Sequence, residues 1–276
     1  MSIDKLIEKE REKFWNQEKE RKKENEGVFD FAVRRAYEDM QPRTITGHNK
    51  ISASVKDIQE ELKEKFIEYF KGDIPESKEV FYEKHHELCS LFLDEINNLL
   101  RKNNLKLLAY GKAQKVVNMT FKYLYCCIDE CDELKDKKEW FRYCHMPLDR
   151  FSLEWIYRRD KGIKRKQIES WSKLTEEEYQ NIKNIVESYC KEPLQLDFIV
   201  WPRMQQILAL EAFEKAFKED QPTNDADSTE SDNEPEEYES YSLNNVVISK
   251  WKKVIQRIPE KSALKEELQR KLDEIK

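Results

Sequence analysis

Two short stretches of this chain hold the residue types that covalent chemistry needs. The first is Gly111-Lys112-Ala113-Gln114-Lys115-Val116-Val117-Asn118. On a helical wheel Gly111, Lys115, Asn118, Lys122 and Asp129 share an arc of about 80°. Ala113, Val116, Val117, Met119, Phe121, Tyr123, Leu124, Cys127 and Ile128 fill most of the remaining circumference. A helix apolar nearly all round is buried, so its lysines must line a cleft or be matched by carboxylates. In a cleft, desolvation would lower the Lys115 pKa and free the amine as a nucleophile near neutral pH. The second stretch is His145-Met146-Pro147-Leu148-Asp149-Arg150-Phe151, in which Asp149 is a natural helix N-cap. Beyond it Arg158, Arg159, Lys161, Lys164, Arg165 and Lys166 make a basic run. Such a run suits phosphates, or equally a solvated helix end.

Other constellations carry less. Cys126, Cys127, Cys131 and Cys144 crowd one region beside His145. Zinc sites want close cysteine pairs bridged to a distant pair, which Cys127-x3-Cys131 and Cys144-His145 only approximate. Cys127 falls on the apolar side of its helix, so buried thiols are expected and no metal or other cofactor. His85 and His86 point about 100° apart on a helix and read as surface residues. No phosphate-binding Gly loop, His-Glu-x-x-His helix or Ser/His/Asp order is present.

The run Gly111–Asn118 resembles the hairpin-to-helix signature of the helix-hairpin-helix DNA glycosylases, and His145–Phe151 is similar to that family's Pro-(apolar)-Asp segment. The resemblance spans about residues 105–159. It departs at Ala113, where the second hairpin glycine would stand, and at Arg150 and Phe151, where a histidine often follows the aspartate. The four-cysteine cluster ligands of some members are absent. The resemblance implies an N-glycosylase/lyase with Lys115 as Schiff-base nucleophile, Asp149 as catalytic carboxylate and DNA as partner. Nucleic-acid contacts then fall to Gly111, Gln114, Asn118, Lys122, His145, Arg150, Arg158 and Arg159.

The elements that must position these residues are helical. With 5 Gly and 8 Pro in 276 residues, the chain lacks the turn residues of a sandwich, barrel or Gly-rich nucleotide fold. An all-α fold is expected: a charged helix over residues 1–27, a core domain over 28–218, an acidic disordered linker over 219–242 and a helical tail over 243–276. Within the core, spacing predicts helices over Gly27–Met40, Ser54–Phe70, Ser77–Lys102, Leu105–Glu130 with a tight turn at Gly111, Pro147–Lys161 and Thr175–Cys190. Pro193–Val200 alternates Leu194, Leu196 and Phe198 with polar residues, the pattern of a short strand or extended connector. A helix over Pro202–Lys218 follows.

The net charge of −6 conceals a split. Residues 219–239 hold ten acidic side chains and no Lys or Arg, which leaves 46 acidic against 50 basic elsewhere. That balance allows an anionic partner, and the acidic linker with the tail offers a surface for a protein partner. No stretch approaches the roughly 18 apolar residues of a membrane span, so a cytoplasmic protein is expected. Two further functional classes fit the composition. A helical endoribonuclease of the toxin or phage-defence kind would rest on Arg142-x-x-His145. A non-enzymatic helical interaction protein would rest on the Lys/Glu-rich first helix and the detached tail.

Overall fold

The computed structural model describes residues 3–160, 170–219, 248–252, 255, 269–270 and 272–273, with side chains of the long eighth helix described to residue 212. No strand occurs among them. The described part of residues 3–219 holds eight α-helices, α1 (Ile3–Glu18), α2 (Val28–Asp39), α3 (Val55–Lys71), α4 (Lys78–Lys102), α5 (Tyr110–Cys126), α6 (Arg150–Arg159), α7 (Glu176–Tyr189) and α8 (Pro193–Glu219), with further helical residues at 248–252. The protein is all-α. The acidic segment beyond Glu219, most of the tail and the basic residues Lys161, Lys164, Arg165 and Lys166 lie outside the described residues.

Residues 1–199 form one compact unit. Its axis is α5, all 17 of whose residues are buried. Helices α1, α2, α4 and α7 contact α5, as its apolar circumference requires. Phe31 (α2), Phe66 and Phe70 (α3), Phe81 and Phe92 (α4) and Phe121 and Tyr123 (α5) are at most 2 % exposed and belong to an aromatic core around α5. The starts of α4 and α7 are capped by side chains. Ser77 accepts from Val80 N, and Thr175 and Glu178 form a reciprocal capping box.

Gly111 lies in the first turn of α5, and residues 105–109, which belong to no helix and end on an extended Ala109, precede it. No hairpin turn stands at this glycine. Its requirement is spatial: a Cβ there would meet the Trp171 carbonyl oxygen at 1.9 Å, and Gly111 N donates to Leu174 O at 2.9 Å. The 3₁₀ turn Trp171–Lys173 therefore rides directly on the α5 backbone.

Pro193–Val200 is the opening of α8 rather than a strand or connector. Leu194, Leu196, Asp197, Phe198, Ile199 and Val200 are all buried, so apolar residues on every side hid the helical period. Pro193 at the first helical position costs no hydrogen bond. The described residues from Val200 onward belong to a second unit, in which Lys250 pairs with Glu211 at 2.7 Å.

Candidate functional site

Helix α5 and the segment leading into α6 bring the two chemistry-bearing stretches together. Asp149 is the N-cap of α6. Its Oδ1 accepts from Phe151 N (2.8 Å) and Ser152 N (3.1 Å), and Ser152 Oγ accepts in turn from Asp149 N. The other oxygen, Oδ2, accepts from Lys115 Nζ at 2.8 Å. Both side chains are nearly enclosed, 7 % and 12 % exposed.

A second lysine–carboxylate pair lies two turns along α5. Lys122 Nζ donates to Asp197 Oδ2 at 2.6 Å and sits over the Phe14 ring at 4.3 Å. Near the same helix, Tyr123 donates its hydroxyl proton to Asp39 at 2.6 Å, and Arg35 binds Glu18 at 2.7 Å. The interior of this unit thus holds a charge cluster of Lys115, Lys122 and Arg35 with Asp39, Asp149 and Asp197. Isolated ions would be costly there, so the pairing is what permits them.

Electrostatics reverse the expectation for Lys115. Burial, the largest single effect, presses its pKa down, but Asp149, Asp197 and Asp39 together outweigh it and hold the ammonium above its ordinary value. For Asp149 burial pushes upward, and the Lys115 charge with two backbone N–H groups pulls its pKa below the usual range. Among the described residues burial lowers the pKa of two other lysines, Lys183 and Lys112, the latter to about 8. Lys112 Nζ donates to Met40 O (2.6 Å) and Thr44 Oγ1 (3.2 Å) and lies over the Trp171 ring at 4.8 Å. No carboxylate pairs with it among the described residues.

The other residues expected to touch nucleic acid divide in two. Gly111, Gln114, Asn118, Lys122 and His145 are in the interior, at 0–2 % exposure for the last four. Gln114 clamps the α6 approach, donating to Leu148 O at 2.8 Å and accepting from Leu148 N at 3.1 Å. Asn118 donates to Gln114 and to the Tyr179 hydroxyl, each at 3.0 Å, and its Oδ1 lies 2.8 Å from His85 Nε2. His145 Nδ1 is 2.7 Å from the Tyr179 hydroxyl. Arg150, by contrast, is exposed. Arg158 pairs with Glu154 at 2.7 Å, and Arg159 lies 4.7 Å above the Tyr189 ring.

Of the two histidines expected at the surface, only His86 is exposed. His85 is 1 % exposed, because its position on α4 aligns with the core face of Phe81, Leu88 and Phe92. Burial drives its pKa down to about 4, and that of His145 well below the ordinary value. Cys126, Cys127, Cys131 and Cys144 are buried, and no metal-ligating cluster occurs among the described residues. Arg142 is exposed while His145 is enclosed, so the Arg142-x-x-His145 spacing does not present both to one surface.

Sequence reasoning missed Asp39, His85, Tyr179 and Asp197. One signal existed: Asp197 is a lone carboxylate in the run Leu194–Trp201, and an acid amid apolar residues asks for a buried cation. Comparison with protein-family models, curated proteins and solved structures finds no match for this chain.

Proposed function

We propose that this protein processes nucleic acid by glycosidic-bond chemistry, as a DNA glycosylase/lyase with Lys115 as amine nucleophile and Asp149 as the carboxylate facing the sugar. The observation that supports the reading is the contact between these two side chains, 34 positions apart, with Asp149 capping the helix that faces the lysine. That is the arrangement the resemblance implies.

The closed pair defines what the reaction requires. An ammonium has no lone pair, so Lys115 must first give up a proton. A nucleotide flipped out of its stack and inserted between the two groups would separate Lys115 from its nearest counter-charge. Burial would then favour the neutral amine, and Asp149 is the nearest base to take the proton. Attack by Nζ on the anomeric carbon breaks the bond to the base, which leaves with the proton that Asp149 took from Lys115 and so returns Asp149 to its carboxylate. The Asp149 carboxylate stabilises the positive charge developing on the sugar.

A second reading rests on a specific observation. The cavity beside Leu148, which precedes Asp149, measures about 10 Å³, room for a water but not a nucleobase. A closed, charge-balanced interior also fits a non-enzymatic interaction protein.

Borohydride trapping separates the two. The full chain, incubated with DNA carrying abasic or damaged sites, should give a covalent adduct. Lys115→Arg, which keeps a cation for Asp149 but no primary amine, should give none while retaining its helical circular dichroism. Absence of adduct across a broad lesion panel, with no salt-sensitive DNA binding, overturns the enzymatic reading in favour of the second.

A further inference from the structure

His145 ends a hydrogen-bond chain in which the backbone dictates every proton. Leu148 N–H can only donate and Leu148 O only accept, which fixes Gln114 Oε1 as acceptor and Nε2 as donor. Asn118 must then give one amide proton to Gln114 and the other to the Tyr179 oxygen, leaving its Oδ1 to accept from His85 Nε2–H. The Tyr179 hydroxyl proton consequently points to His145 Nδ1, 2.7 Å away. A neutral His145 accepting at Nδ1 carries its own proton on Nε2.

That N–H has no hydrogen-bond partner among the described residues, although the ring is only 2 % exposed. Glu187 Oε1 lies 3.9 Å away, too far for a direct bond and suited to a bridge. Beside the ring is the cavity of about 10 Å³, lined by His145, Tyr179 and Lys183 among others. Glu187 is not on the cavity wall, but it also accepts from the Tyr82 hydroxyl and pairs with Lys78 at 3.3 Å, which holds its carboxylate beside the His145 ring.

We propose that this cavity is a binding site for one ordered water molecule, which accepts from His145 Nε2–H and donates to the Glu187 carboxylate. Lys183, on the cavity wall, is its second donor. The surroundings select this ligand. The volume admits a single water, an apolar atom would leave the histidine N–H unsatisfied, and a cation would face two donors. An anion would face Glu187. The water also adds a second tie between the Asp149 approach and α7, beside the His145–Tyr179 hydrogen bond. This inference does not depend on the glycosylase reading.

Nuclear magnetic resonance on the full chain with ¹⁵N-labelled histidine tests it. The expected result is a His145 ring protonated at Nε2, with a cross-peak from that proton to a long-lived water. Glu187→Gln, which retains an acceptor, should keep the cross-peak. Glu187→Leu should lose it and speed exchange of the ring proton at least tenfold. A proton on Nδ1, or an Nε2–H with no water contact in the folded wild-type protein, overturns the proposal. So does a high-resolution crystal structure with an empty cavity or a direct His145–Glu187 bond.

Discussion

Lys115 and Asp149 form a buried ion pair, so removing either leaves the charge of the other less compensated in the interior. Breaking a buried pair from one side typically costs about 3–5 kcal/mol. Lys115→Met should therefore lower unfolding free energy by about 3 kcal/mol, read from the urea midpoint at constant slope. Asp149→Asn should cost less from lost charge but add about 1 kcal/mol for the weakened cap. The paired histidines give a pH signature. His85 stays neutral down to about 4 in the fold against 6.5 ordinarily, so below pH 6.5 the unfolded chain takes up the proton first. Thermal stability should fall as pH drops from about 6.5 to 4, and His85→Asn should flatten that slope. The lowered Asp149 pKa adds a separate loss only below about 3.8, its ordinary value.

At the level of elements, the glycine in α5 carries the sharpest constraint. Gly111→Ala would drive a methyl into the Trp171 carbonyl, a backbone atom that no rotamer change can clear. A destabilisation of about 2–3 kcal/mol is expected, with the melting temperature as readout. The same helix shows what sequence can and cannot reveal. Its burial was legible because every side but one is apolar, and the Asp149 cap because capping is local. Partners from distant segments were not legible: nothing near Asn118 announces His85 or Tyr179, and nothing near Tyr123 announces Asp39. Period-2 alternation misled at Pro193–Val200 because a helix buried all round has no polar face to set its period. The Lys115 pKa was misjudged for a related reason. The apolar wheel gave the cost of burial but not the three carboxylates that offset it.

On the whole-molecule scale, charge is segregated along the chain, with ten acids and no Lys or Arg over residues 219–239. If the protein binds nucleic acid through its mildly basic remainder, that segment competes with phosphates for the same cations. Deleting residues 220–240 should then raise DNA affinity several-fold at low salt and leave it unchanged at high salt. Equal affinities at low salt would exclude such competition. The buried axis has a further consequence, for deuterium uptake. None of the amides of α5 is near solvent, and four other helices must separate before they become so. Their protons should exchange only when the entire first unit unfolds, at rates that directly measure its global free energy. Helix α1 has most of its residues at the surface and should take up deuterium through smaller openings long before that. The helix carrying both lysine pairs is thus also the slowest clock in the molecule.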